Sequence, residues 1–120
     1  MKILVVDDEP LVRRSLQRAA ERRGHEVQTA SNGLEGLEQW ILFSPDLIFL
    51  DVLMPEMDGP TLLLQKPKSS EAKVVMMSAF TGEYDSEAAL KMGAHVFIPK
   101  PFEDIMKVIS QAEELVSGNR

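Results

Sequence analysis

The sequence predicts an α/β domain, a five-stranded parallel sheet with helices on both of its faces. Three observations predict it. Short apolar runs alternate five times with stretches of helical periodicity. One run, Leu47-Ile-Phe-Leu50, is continuously apolar, as a central strand covered on both faces must be. Polar residues, acids above all, stand where the runs end. Five βα repeats joined by right-handed crossovers then require parallel strands.

Each element has its own local cause. Lys2-Ile-Leu-Val-Val-Asp7 is a β-branched buried strand that ends in acids. Pro10 suits the first turn of a helix, and Val12, Leu16, Ala19 and Ala20 recur at helical spacing until Gly24 stops it. Glu26 to Ala30 alternates as an outer strand, with Val27 its main apolar residue. Asn32 is placed to cap a helix in which Leu34, Leu37, Trp40 and Ile41 form one face, and Ser44-Pro45 ends it. The central strand has no room for a carboxylate in its middle, so Asp51 stands at its exit. Pro55 and Asp58-Gly59 then turn the chain away.

Gly59-Pro60 opens a short helix through Leu62 to Leu64, which Pro67 stops, and residues 66–73 read as a loop. Lys73-Val-Val-Met-Met-Ser78 is the fourth strand, and Ser86 to Met92 a helix closed by Gly93. His95-Val-Phe-Ile98 is the fifth strand, followed by Pro99-Lys100-Pro101. The last helix runs from about Phe102 with Ile105, Ile109, Ala112 and Val116 inward, and Glu103 and Asp104 set against the positive end of its dipole.

At this length the common arrangement is the flavodoxin-like doubly wound sheet, strand order 2-1-3-4-5, whose switch point lies between the first and third strands. Those two strands end in Asp7-Asp8 and Asp51. Adding the other exits brings Ser78 and Lys100 to the same edge. Like charges at ~4 Å repel by about 4 kcal/mol at an effective dielectric of 20, so something positive must offset three carboxylates. Lys100 and a divalent cation are the candidates, and an all-oxygen site suits Mg²⁺.

Composition narrows the classes further. The 120 residues fit one domain, 1–120, with 117–120 a polar tail or the start of a linker. No cysteine is present, which excludes disulfides and thiolate metal sites. A net charge of −6 argues against direct nucleic-acid binding by this segment. Neither a membrane span nor a signal peptide is expected, which makes a cytoplasmic setting the default. His25 and His95 read as surface or packing residues, each without a second ligand nearby in sequence.

Four motifs carry a resemblance that covers essentially the whole chain: Ile3-Leu-Val-Val-Asp7-Asp8-Glu9-Pro10, Asp51-Val-Leu-Met-Pro55-Glu-Met-Asp58-Gly59, Met77-Ser78-Ala79 and Lys100-Pro101-Phe102. Singly each has a bland reading, as a cap, a turn or a surface lysine. In this order and at these intervals the chain resembles the receiver domain of two-component response regulators. The resemblance implies that Asp51 is the phosphoacceptor, that Asp7 and Asp8 hold Mg²⁺ together with Asp51, and that the backbone carbonyl of Leu53 completes its protein ligands. It further implies Ser78 as the hydroxyl that senses the phosphoryl group, Lys100 as its cationic partner, Phe97 as the aromatic switch residue, and a cis Lys100-Pro101 bond.

The same resemblance implies partners. A sensor histidine kinase or a histidine phosphotransfer protein is the expected donor, and an output protein or a fused output domain, such as that of a DNA-binding transcriptional regulator, the expected target. The resemblance is also compatible with a phosphorylation-dependent homodimer, and the sequence itself does not name the oligomeric state. The face changed by phosphorylation would be that of the fourth helix, fifth strand and fifth helix. Ser78 stands where threonine is more frequent, and the third helix is shorter than a typical receiver's. Leu53 and Phe80, two residues beyond Asp51 and Ser78, offer nothing to orient a water, so slow loss of the phosphoryl group is expected. Arg13, Arg14, Arg18, Arg22 and Arg23 on the first helix are either a solvated face or a docking surface for the phosphodonor.

Readings from other classes fit less well. A Mg²⁺-dependent phosphohydrolase with an aspartyl intermediate, of the kind that places a second acid two residues after the nucleophile, would have an acid where this chain has Leu53. A phosphorylation-independent docking module would usually have lost an acid or the lysine. A flavin carrier would need a phosphate-binding loop after the first strand.

Overall fold

Alternation along the strands decides which side chains meet which helices, and here both sets are apolar. The computed structural model describes residues 1–79 and 86–118. Strands β1 (Lys2–Val6), β2 (Glu26–Ala30), β3 (Leu47–Asp51), β4 (Lys73–Ser78) and β5 (Val96–Pro99) pair in parallel in the order 2-1-3-4-5. Between and after them run α1 (Pro10–Arg22), α2 (Gly33–Phe43), α3 (Gly59–Leu64), α4 (Ser86–Lys91) and α5 (Ile105–Ser117). The flavodoxin-like fold expected from the sequence is the observed one.

The sheet divides the core in two. Ile3, Val5, Leu47, Phe49, Val75 and Met77 pack with Leu16 of α1 and Ile109 of α5. Leu4, Val6, Ile48, Leu50, Val74 and Met76 pack with Trp40 of α2, Leu62 of α3 and Ala89 of α4. All five residues of β3 are buried, which fits its place in the middle. Each such side chain contributes roughly 1.5–3 kcal/mol on burial.

Three sequence expectations need correction. Leu34 and Ile41 do not join Leu37 and Trp40 on the inner face of α2, because they are 51% and 60% exposed. The buried stripe is instead Gly33, Gly36 and Trp40. A Cβ at Gly33 would overlap the Met57 carbonyl, so the loop after β3 closes directly on the helix start. Helix α5 begins at Ile105 rather than near Phe102, since the Asp104 carboxylate accepts from Met106 N–H and Lys107 N–H and sets the cap there. Strand β5 begins at Val96, one residue late, because the His95 side chain turns to its neighbour and accepts from Val74 N–H.

The short third helix is as expected, ending at Leu64 with Gln65 as its cap. Phe80, and Asn119 and Arg120 of the polar tail, lie outside the described residues. No helix among the described residues is long and apolar enough to cross a membrane.

Candidate functional site

Asp7 follows β1 directly and is fully buried. Its N–H donates to Ala30 O at 3.1 Å, continuing the ladder, while its Oδ1 accepts from Glu9 N–H at 2.9 Å. Arg13 Nη1 donates to the Asp7 carbonyl at 2.7 Å and ties the first turn of α1 to the strand end. Asp8 is exposed.

Asp51 closes β3 and is 4% exposed. The next residue is anchored from both sides: Val52 N–H donates to Met77 O at 2.9 Å, and Gly59 N–H to Val52 O at 2.8 Å. A Cβ at Gly59 would overlap the Asp51 carbonyl, so only glycine lets the start of α3 come this close. Leu53 follows in the loop with its side chain 54% exposed.

Lys100 leaves β5 through a cis bond to Pro101, and its N–H donates to Ser78 O at 2.9 Å. Its ammonium reaches back to Asp7 Oδ2 at 2.9 Å, Glu9 Oε1 at 2.8 Å and Asp51 Oδ1 at 3.3 Å. One carboxylate oxygen from each of Asp7, Asp8 and Asp51 lies within 4.8 Å of the others. Ser78 is buried at the end of β4, beside Pro99 in register. Phe97 of β5 is half-buried against the core on the α2–α4 face.

The charges at this edge are only partly offset. Burial, and then the neighbouring Asp7, push the Asp51 carboxyl up to about 7, against the pull of Lys100. Burial also raises Asp7, opposed by Glu9 N–H and by Lys100. For Lys100 burial acts downward, but hydrogen bonds to Glu9 and Asp7 outweigh it and hold the ammonium above the ordinary lysine range. One cation therefore serves three carboxylates, and the most buried pair still hold protons more tightly than free aspartates do.

The strand-exit residues named from sequence, Asp7, Asp51, Ser78 and Lys100, thus share one edge, with Asp8 at its rim. Two participants went unassigned. Glu9 bonds Lys100, and its only signal was its place directly after two strand-end acids. Arg13 was read as part of a surface arginine set, yet it is half-buried and bonds the Asp7 carbonyl. Arg23 is paired with Glu113 of α5 at 2.5 Å, though it is exposed, as are Arg14, Arg18 and Arg22.

The family model described as the response regulator receiver domain matches residues 3–111. The chain belongs to that family. Among its relatives, a protein-glutamate methylesterase/protein-glutamine glutaminase of Archaeoglobus fulgidus is 43% identical over 119 residues, covering 97% of this chain and 34% of that protein. A probable transcriptional regulator, ycf27 of Cyanophora paradoxa, is 40% identical over 101 residues, covering 84% of this chain and 42% of that protein. The chain therefore spans less than half the length of these curated relatives. The receiver domain of the Francisella response regulator 1452 superposes with a TM-score of 0.88 at 27% identity, covering 99% of this chain and 98% of that one. A receiver domain is a signalling domain of two-component systems, and such domains bind Mg²⁺ at an acidic pocket. In this chain Asp7, Asp8 and Asp51 form an acidic cluster at the corresponding sheet edge.

Proposed function

We propose that this receiver domain, residues 1–120, accepts a phosphoryl group on Asp51 from a histidine kinase or a histidine phosphotransfer protein and passes the signal to an output partner or fused output domain. The observation that carries the reading is the buried Asp51 carboxylate 3.3 Å from the Lys100 ammonium, inside a cluster of acids that one lysine does not neutralise. In the transfer, an Asp51 oxygen forms the new bond to phosphorus as the bond to the donor nitrogen breaks, leaving an acyl phosphate. Lys100 holds a phosphoryl oxygen as a point charge, and Glu9 and Asp7 keep its amine at that position.

The donor set fits Mg²⁺: three carboxylates, no sulfur or imidazole, and two buried acids whose raised protonation marks uncompensated charge. Asp7, Asp8, Asp51 and the Leu53 carbonyl would hold it. When bound, Mg²⁺ supplies neutralisation of the charge on the phosphoryl oxygens. Ser78, buried at the exit of β4, moves toward the phosphoryl group, and Phe97 changes its packing in response. That movement biases the α4-β5-α5 face between two arrangements, and with it the output contact or homodimer.

The exposed Arg14 and Arg18 are proposed to steer the phosphodonor, while Arg13 and Arg23 are engaged within the fold. The setting is cytoplasmic. A longer protein carrying a DNA-binding or enzymatic output is consistent with the lengths of the relatives. The phosphohydrolase reading lacks its acid, since Leu53 stands in that place.

Incubation with acetyl phosphate and Mg²⁺ followed by intact mass is the test. Wild type should gain one phosphoryl adduct and Asp51→Asn none. An adduct on the variant, or none on wild type, removes the assignment. Once formed, the adduct should last minutes or longer, because Leu53 cannot orient a water. Decay within seconds would show that another group does so.

A further inference from the structure

The face of α2 that points away from the sheet is uncovered. Gly33, Gly36 and Trp40 are its buried residues, which turns Leu34, Ile41 and Leu42 outward, and Leu42 is 79% exposed. The start of this helix and the loop after β3 border a groove of about 480 Å³, with Leu34, Leu37 and Ile41 as its apolar part and Glu35, Glu38 and Glu56 as its charged part. No lysine or arginine lines it, and α2 itself has no basic residue. Among the described residues neither Glu38 nor Glu56 is in an ion pair. An apolar helix face bordered by acids alone is complementary to a helix that carries an apolar residue and several bases.

Such a helix is present in the same chain. On α1, Leu11, Arg14, Arg18 and Arg22 follow at intervals of three and four residues and form one exposed stripe, with Leu11 73% exposed. Among the described residues none of the three arginines has a carboxylate at ion-pair distance. The one acid of the helix, Glu21, accepts from Gln17 Nε2 at 3.2 Å. The two stripes match in register when the helices run antiparallel. Leu11 then meets Ile41 and Leu42, and Arg14 meets Glu38. Arg18 falls beside Glu35, and Arg22, one turn further, reaches the end of the groove where Glu56 stands and where the Met57 carbonyl abuts Gly33. A parallel arrangement sets Arg18 against Ile41 instead. Helices α1 and α2 pack on opposite faces of one sheet, so the two stripes meet only between molecules.

We propose that the α1 face of one copy of this chain docks antiparallel on the α2 groove of another, with Leu11 on the apolar part and Arg14, Arg18 and Arg22 against Glu38, Glu35 and Glu56. The contact joins two different surfaces, so it propagates from copy to copy instead of closing as a two-fold dimer. One helix pair covers less than the roughly 800 Å² per partner of a standard stable interface, and a net charge of −6 on each copy adds repulsion, so the association is weak. It needs no phosphoryl group and does not rest on the function proposed above. It does cover Arg14 and Arg18, so a docked copy and a phosphodonor steered by those arginines exclude each other.

Sedimentation of the intact, unphosphorylated chain in EDTA, from micromolar to millimolar concentration, is the test. The weight-average mass of wild type should climb steadily above the monomer value, with amide shifts along residues 11–22 and 34–42. Two variants each block one surface: Arg14→Gln with Arg18→Gln, and Glu38→Gln with Ile41→Gln. All four side chains are exposed, and the far-UV spectra should match wild type. Each variant alone should associate about tenfold or more weakly than wild type. Their mixture should give a one-to-one pair and nothing larger, because each supplies the surface that the other lacks. Wild type that stays monomeric at millimolar concentration overturns the proposal and leaves the groove to a basic helix of another protein. Unchanged association in either variant, a mixture that fails to pair, or shifts centred on β5 and α5 overturns it as well.

Discussion

Asp51 is held in the fold at a cost to stability. Its carboxyl, raised from 3.8 to about 7, prefers its proton in the folded chain, so ionising it at neutral pH opposes folding by about 4 kcal/mol. Asp51→Asn removes that charge and keeps the shape. In EDTA at pH 7 the variant should melt several degrees above wild type, and an equal or lower melting temperature would mean that Lys100 fully offsets the charge. Lys100→Met should act the other way, leaving Asp7 and Asp51 without their shared cation and lowering the melting temperature. At this scale the sequence was informative where a residue sat at a strand exit, because the sheet carries such residues to one edge whatever their neighbours do. It was silent on Glu9 and Arg13. Their roles depend on rotamers, and no periodicity specifies which side chain reaches a given amine or carbonyl.

Helix boundaries follow local chemistry, and so do the misreadings of them. In α2 the apolar residues Leu34 and Ile41 suggested the inner face, yet two glycines displaced it. Close approach of Gly33 to the Met57 carbonyl and of Gly36 to Val6 rotates the helix so that small residues face the sheet. A hydrophobicity pattern cannot register a face chosen for its lack of side chain. In α5 the dipole argument placed Glu103 and Asp104 correctly near the start but could not say which of them caps. Asp104 does, with Oδ1 3.1 Å from Met106 N and 3.4 Å from Lys107 N. Asp104→Ala should lower unfolding free energy by about 1 kcal/mol, and Asp104→Ser should recover most of it. Denaturant melts read this directly. A loss with Ala and no recovery with Ser would assign the effect to charge rather than to the cap. The short α3, by contrast, was legible in full, since Pro67 cannot continue a helix that Gly59-Pro60 has just begun.

At the scale of the whole molecule, the parallel strands gather acids at one edge of the sheet, at their carboxyl ends around Asp7 and Asp51. The acid edge should dominate the pH dependence of the metal-free protein. A carboxyl whose folded pKa lies above its unfolded value supports folding fully below the unfolded value and loses that contribution as pH rises through the folded one. For Asp51 that window runs from about 4 to about 7, and Asp7 is shifted in the same direction. In EDTA the melting temperature should therefore fall as pH rises through the upper part of the window, with its maximum on the acid side of neutral. Excess Mg²⁺ should reverse the trend, because ionised carboxylates are the ones that bind it. A hundredfold excess over its dissociation constant stabilises by about 2.7 kcal/mol. Melts at intervals from pH 5 to pH 8, with and without Mg²⁺, separate the two contributions. A metal-free melting temperature that climbs steadily to pH 8 would mean that the acids at this edge are already neutralised by Lys100, and the case for a metal pocket would lose its electrostatic basis.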